Sequence, residues 1–370
     1  MSRCWALVTN EASGYMKFGQ LVWQMLRCPN VYTKMTFTQF MRGTFGLLHE
    51  AITNKGLTCE QVAEAACGKG NFHALEGQVA IITGASNGLG LENARVLMKY
   101  GCHVIWAVRN PAKAEQALKT LEAAEGKFSG KATILKVDIS DLTTVKPFVT
   151  AFLKLGLPLH KLILNAGIMA PLQWEASAQG YESMFATNNL GHFLMTELLL
   201  PKLDETAKTS QVRIVILSSM GASMCDGIDI SKVPVPKEEY HELADYNVTK
   251  AFDSFHARGL QKKYAGTNIF ATCVHPGLIG TGLLDRNPGL GQLFYTSVTF
   301  APFRKSVLTG SATTMYCALG PEIPEQVKQG FFFYYNCRPQ YSSGISKPGV
   351  ADHLVDAAEQ LQLKLVKPFM

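Results

Sequence analysis

Tyr246 and Lys250 stand four residues apart in the run Tyr246-Asn247-Val248-Thr249-Lys250. On a helix that spacing puts both side chains on one face. A phenol, with a pKa of about 10, is a poor acid or base at neutral pH, and a neighbouring ammonium favours the phenolate and lowers that value. The pair is therefore suited to exchanging a proton with a carbonyl–alcohol couple. Ser219 closes an apolar run upstream, where its hydroxyl could bind the substrate oxygen. Asn188 lies in a long helical segment and could hold a water linked to Lys250. A single Tyr-x-x-x-Lys is also the pattern of a packed tyrosine beside a solvated lysine, so the surrounding chain has to decide.

A second chemical stretch is Thr83-Gly84-Ala85-Ser86-Asn87-Gly88-Leu89-Gly90. It follows the short β-branched run Val79-Ala80-Ile81-Ile82 and precedes 91–100, where Leu91, Ala94, Leu97 and Met98 recur at helical spacing. Strand, glycine turn and helix form the setting of a dinucleotide phosphate site. Gly84 allows the tight turn, Gly88 lets the backbone approach a pyrophosphate, and Gly90 lets the helix pack on the strand. Ser86, Asn87 and Leu89 complete the turn, and the free N–H groups of the helix N-terminus would hold the phosphates. The next strand, 103–108, ends at Arg109-Asn110. An acid there would bind the ribose 2′-hydroxyl of NAD; the guanidinium present suits the 2′-phosphate of NADP, and a solvated strand-end arginine is the plainer alternative.

The elements that must position these groups alternate. Strands are expected at 79–82, 103–108, 132–137, 161–164, 212–217, 268–274 and 331–335, and helices at 91–100, 111–125, 180–203, 245–264, 310–319 and 350–363. A further helix starts near Ser140-Asp141, where Pro147 implies a kink or a late start. The pattern predicts an α/β fold: a doubly wound parallel sheet of about seven strands with helices on both faces. Nearly every polar signal falls just after a strand, where open α/β sheets bind ligands. These include Asp138-Ile139, Asn165-Ala166-Gly167, Ser218-Ser219 and His275-Pro276-Gly277.

In order and spacing these motifs resemble the short-chain dehydrogenase/reductase family over roughly residues 70–365. The glycine turn, Asp138, Asn165-Ala166-Gly167, Asn188, Ser218-Ser219, Tyr246-x-x-x-Lys250 and Pro276-Gly277-x-x-x-Thr281 carry the resemblance. It implies a Rossmann fold in which Tyr246 is the catalytic acid/base and Lys250 binds the nicotinamide ribose and tunes the tyrosine. Ser219 would hold the substrate and Asn188 would complete a proton relay. The cofactor would lie on Gly84, Ser86, Asn87, Gly88, Leu89, Gly90, Arg109, Asn110, Asp138, Ile139, Asn165, Ala166, Gly167, Tyr246, Lys250, Pro276, Gly277 and Thr281. The run Phe185-Ala186-Thr187-Asn188-Asn189-Leu190-Gly191-His192-Phe193, with Val108-Arg109-Asn110 and Gly310-Ser311-Ala312-Thr313-Thr314, is similar to the branch of retinol dehydrogenases and WW-domain-containing oxidoreductases, but no WW domain stands in the first 70 residues. An apolar, glycine-bearing stretch, 282–303, occupies the place of the family's substrate lid. The expected function is an NADP-dependent oxidoreductase interconverting a lipophilic carbonyl and alcohol, of retinoid, steroid or long-chain type. A cofactor-binding interaction protein with little turnover, and a carbon–carbon double-bond reductase like protochlorophyllide reductase, are the alternatives.

The chain has 370 residues, 47% hydrophobic and 17% charged, with a net charge of +6. That suits a globular protein with a sizeable core. No basic run interleaved with aromatics suggests nucleic acid. The nine cysteines include no Cys-x-x-Cys pair, so buried free thiols are expected rather than a metal site or a disulfide framework. Residues 1–70 read as a mostly helical extension before a dinucleotide-binding domain at 71–370. From residue 1 to 49 there are five basic residues and one acid, Glu11, and apolar groups recur at Phe18, Leu21, Val22, Met25 and Leu26. A packed extension, a membrane-surface helix and an organelle-targeting segment all fit this pattern. The expected setting is cytoplasmic, with membrane contact or organellar targeting through this segment; a homodimer is the expected assembly. Thr58-Cys59-Glu60-Gln61 has capping-box spacing for a helix start.

Overall fold

The computed structural model describes residues 56–225, 228–280, 282–285, 287, 304–340 and 352–370. The amphipathic stretch at 18–26, Thr281 and most of the lid-like stretch 282–303 lie outside them.

Six strands form the parallel body of the sheet: β1 (Val79–Thr83), β2 (His103–Val108), β3 (Lys131–Lys136), β4 (Lys161–Leu164), β5 (Val212–Leu217) and β6 (Ile269–His275). Two residues, Leu278–Ile279 (β7), pair with Arg304–Lys305 (β8) in a separate small ribbon. Phe333–Tyr335 (β9) joins the main sheet in parallel beside β6, and Arg338–Pro339 (β10) closes that edge antiparallel to β9. The sheet thus has eight strands in the order β10-β9-β6-β5-β4-β1-β2-β3. Edge strand β10 is only two residues long and contains a proline, which edge strands tolerate because one face of the ladder needs no donor.

Period-two alternation sorts the strand residues onto two cores. Ile81, Ile105, Leu162, Leu164, Ile214 and Ile216 face one layer, while Ala80, Ile82, Val104, Trp106, Ile163 and Val215 face the other. The second layer is built on α1 (Cys59–Cys67), α2 (Gly88–Lys99) and later Ala312–Leu319. Helix α1 begins with the capping box: Thr58 Oγ1 accepts from Gln61 N at 3.2 Å and Gln61 Oε1 accepts from Thr58 N at 2.9 Å. Its Cys59, Val62 and Ala63 are buried in the same core as Trp106, and Glu60 bonds Arg95 at 3.1 Å and Lys99 at 2.5 Å on α2. The helix that precedes the expected domain start is therefore part of the domain's packing.

The first layer carries α4 (Val145–Leu153), α5 (Gly191–Ala207), α6 (Glu242–Lys263) and the C-terminal helix Asp352–Val366, while α3 (Pro111–Glu125) follows β2. A short 3₁₀ turn, Leu142–Thr144, precedes α4, so Pro147 falls in the first turn, where no N–H has an intrahelical acceptor. The long segment expected at 180–203 is not one α-helix. Phe185–Leu190 is π-helical and runs into α5; such wide turns often mark functional positions.

Candidate active site

The sheet reverses its order between β1 and β4, and a cleft of about 480 Å³ opens there at the carboxyl ends of the strands. Its floor at one end is the glycine turn. Gly84 has φ +68° and Gly88 φ +52°, both left-handed values that glycine adopts without strain. A Cβ on Gly84 would lie 3.2 Å from Ala166 Cα, so the turn and the β4 end share one cradle. Asn87 caps α2, its Oδ1 accepting from Gly88 N at 2.9 Å. Ser86, Asn87, Gly88 and Leu89 line the cleft; Gly90 does not. A Cβ on Gly90 would meet Asn165 Nδ2 at 2.5 Å, so this glycine serves helix–strand packing.

Arg109 and Asn110 line the cleft, and so does Lys113. Asn110 caps α3 by accepting from Lys113 N at 3.1 Å. Lys113 was not singled out in the sequence, although its place four residues beyond Arg109, in a first helical turn after an Asn cap, was the available signal. Asp138 and Ile139 line the same wall; the Asp138 carboxylate accepts from Ser140 N at 3.0 Å and Ser140 Oγ at 2.6 Å. Asn165, Ala166 and Gly167 form the middle, and Pro276 closes the far side. Gly277 has φ +98° and packs under Lys305 rather than lining the cleft.

Thr83 ties these ends together. Its Oγ1 accepts from Asn165 N at 2.8 Å and Ala166 N at 2.9 Å, and lies 2.9 Å from His192 Nε2. With both lone pairs used, the hydroxyl donates to Nε2, which assigns the proton of the imidazole to Nδ1. Nδ1 in turn donates to the Asn188 carbonyl at 3.0 Å. Burial pushes His192 down to about 3, so the ring is neutral. The Asn188 side chain is itself engaged: Oδ1 accepts from Ile168 N at 2.8 Å, and Nδ2 donates to Ile168 O and Thr249 Oγ1, each at 3.0 Å. Asn188 thus locks the π-helical turn to α6 from behind the cleft.

Tyr246 and Lys250 both line the cleft. Ser218 and Ser219 divide their roles by direction. Ser218 Oγ donates to the Lys250 carbonyl at 2.7 Å, which faces it into α6. Ser219 hydrogen-bonds the Tyr246 side chain. Burial raises the Tyr246 phenol above its ordinary value, and Lys250 and Ser219 pull it back down. The lysine effect anticipated from spacing is present, but desolvation is the larger influence in this closed setting. Lys250 Nζ lies 5.8 Å from the tyrosine ring centroid and donates to Leu217 O at 2.8 Å and Asp253 Oδ2 at 2.9 Å.

A model of short chain dehydrogenases matches residues 78–288 of this chain. The chain belongs to the short-chain dehydrogenase/reductase family. It is 36% identical over 295 residues to short-chain dehydrogenase TIC 32 A, chloroplastic, of Brassica napus, covering 78% of this chain and 88% of that protein. It is 34% identical to mouse (Mus musculus) retinol dehydrogenase 12, covering 67% and 75% of the two chains. It is 31% identical to the WW domain-containing oxidoreductase of Pongo abelii, covering 71% and 62%. A solved structure of an uncharacterised Mycobacterium paratuberculosis protein superposes with TM-score 0.58 at 26% identity, over 79% of this chain and 94% of that one. Two more distant folds were solved with dinucleotides. A short chain dehydrogenase of the same organism is bound to NAD (TM-score 0.52, 21% identity, 68% and 94% covered). Pseudomonas aeruginosa RhlG is in an NADP complex (TM-score 0.53, 20% identity, 68% and 93% covered). This short-chain dehydrogenase/reductase is thus an oxidoreductase of a family that uses nicotinamide dinucleotides, in the branch of its retinol dehydrogenase and WW-domain-containing relatives. Among the described residues no helix is long and apolar enough to cross a membrane.

Proposed function

We propose that the protein is an NADP-dependent oxidoreductase that interconverts a lipophilic carbonyl and its alcohol. One observation carries the proposal: Tyr246 and Lys250, with Ser219 on the tyrosine, share one cleft with the glycine turn and with a pair of cations, Arg109 and Lys113. The cradle fits a dinucleotide, since a side chain at Gly84 would fill it and the α2 N-terminus supplies free N–H donors. When bound, the dinucleotide supplies or accepts the hydride at the substrate carbon. The chain supplies the proton. Ser219 donates to the substrate oxygen, and Tyr246 Oη gives its proton to that oxygen in reduction and takes it back in oxidation. Lys250 favours the phenolate that remains. Ile168, Leu217 and Leu283 bring apolar surface to the cleft, which favours a substrate with a hydrocarbon body.

The test is consumption of NADPH by the purified full chain with retinal, a steroid ketone and a long-chain aldehyde, each product identified. Carbonyl-dependent oxidation giving an alcohol supports the proposal. Saturation of a carbon–carbon bond instead, or dinucleotide binding with no turnover on any class, would overturn it.

A further inference from the structure

Asp253 does not line the cleft, yet it is the partner of the lysine that does. It lies one turn beyond Lys250 on α6, 1% exposed, and its Oδ2 accepts from Lys250 Nζ at 2.9 Å. Its other oxygen accepts from Asn189 Nδ2 at 3.4 Å, from the π-helical turn. Asn189 Oδ1 accepts in turn from Gln362 Nε2 at 2.8 Å, on the C-terminal helix. All three residues are 1% exposed. An unbroken chain of side chains therefore runs from the C-terminal helix to the cleft.

We propose that Asp253 is a positioning residue that aims Lys250 into the dinucleotide cleft, and that Asn189 and Gln362 hold Asp253 so that the C-terminal helix sets the geometry of the site. The proposal rests on the functional reading above. An ammonium has three donors. Leu217 O and Asp253 Oδ2 take two in fixed directions, which orients the third. Without a carboxylate at 253, Lys250 would be a buried cation tethered by one carbonyl alone, free to swing away from the cleft. The groups facing Asp253 are Lys250 and Tyr246 from its own helix and Cys273 from β6. The Cys273 thiol is pushed up to about 12 and stays neutral, and Asn189 carries no charge. Burial raises the Asp253 carboxyl to about 6 against the pull of Lys250 and Asn189. The grip on Lys250 is therefore complete above that pH and released below it.

The probe is NAD+, which is stable in acid and lacks the 2′-phosphate that would titrate in the same range. Its dissociation constant is measured for the full chain from pH 5 to 7.5. Wild type is expected to weaken about tenfold as pH falls through about 6, the loss of one charge-assisted contact. Asp253→Asn should bind weakly throughout, with no acid limb. Gln362→Leu leaves Asp253 in place but frees Asn189, so its limb should move up in pH. An unchanged limb in Asp253→Asn, or none in wild type, overturns the proposal. Should wild type bind no dinucleotide at any pH, the functional reading fails, and the melting of the ligand-free proteins decides whether Asp253 titrates in this range. A raised Asp253 makes wild type lose stability relative to Asp253→Asn as pH rises toward about 6. Parallel Tm profiles from pH 5 to 7.5 would mean a carboxylate charged throughout, and would overturn the acid release of Lys250.

Discussion

Gly90 approaches Gly84 so closely that a Cβ on Gly90 would stand 2.4 Å from the Gly84 carbonyl oxygen. No real Cβ contact is that short, and the obstacle is backbone, which cannot swing aside. Gly90→Ala is expected to push α2 off the strand that feeds the glycine turn. Overpacking of this kind costs about 1–3 kcal/mol. Thermal melting and NADPH titration check it: the variant should melt lower and bind the dinucleotide more weakly. A Gly90→Ala protein with wild-type Tm and affinity would show that the contact relaxes freely.

Tyr246→Phe keeps the ring in its buried place and removes only the hydroxyl. The proton donor is lost, so turnover should fall by about two to four orders of magnitude. NADPH affinity should hardly change. Single-turnover rates and equilibrium titration separate the two effects; activity within tenfold of wild type would remove Tyr246 from the chemistry.

Cofactor choice is expected to rest on Arg109 and Lys113 together. Each charge-assisted contact to the 2′-phosphate is worth about 1.5–3 kcal/mol, roughly one to two orders of magnitude in affinity. Arg109→Asp should reverse the preference for NADPH over NADH by setting a carboxylate against the phosphate. Lys113→Ala should weaken NADPH and leave NADH unchanged. Dissociation constants of both dinucleotides at fixed salt are the measurement. Equal affinities in wild type would make these two cations ordinary surface charges.

Asp245 precedes Tyr246, is 2% exposed and accepts from His241 N at 2.8 Å. Burial, with Glu182 and Glu239 nearby, pushes its carboxyl up to about 8. A folded-state value above the unfolded one means that the folded carboxyl keeps a proton the unfolded chain has released. Stability therefore falls as pH rises from about 4 to about 8. Asp245→Asn keeps an acceptor for His241 N and cannot ionise. Its Tm advantage over wild type should widen steadily from pH 5 to pH 8. A constant difference would mean that Asp245 titrates near its ordinary value.

Much of this molecule is written in local spacing. The apolar runs of β1, β2, β4 and β5 became strands because a strand buried on both faces needs a near-continuous apolar run, and that is visible within six residues. The glycine turn was legible because only glycine takes a φ of +68° or +52° without strain, whatever lies around it. Tyr246 and Lys250 share a face because helical geometry alone puts residues four apart together.

What remained hidden depends on residues distant in the chain. The resemblance already pointed to Ser219 rather than Ser218, but the physical reason was not in the sequence: the end of β5 meets α6 in one orientation, which turns Ser218 Oγ onto the Lys250 carbonyl. Lys113 joins Arg109 only once α3 leaves β2 at its observed angle. Helix α1 packs beside Trp106 through Arg95, and no period in residues 59–67 names that partner. The Asn188 side chain clasps Ile168 and Thr249, because a π-helical turn aims its amide across to α6. The grip of Asp253 on Lys250 has a helical i,i+3 spacing, yet its burial and its tie to Gln362 come from the packing of the C-terminal helix. Local periodicity fixes which residues can face together; desolvation and hydrogen-bond partners are set by elements brought in from far along the chain, and only the folded chain decides them.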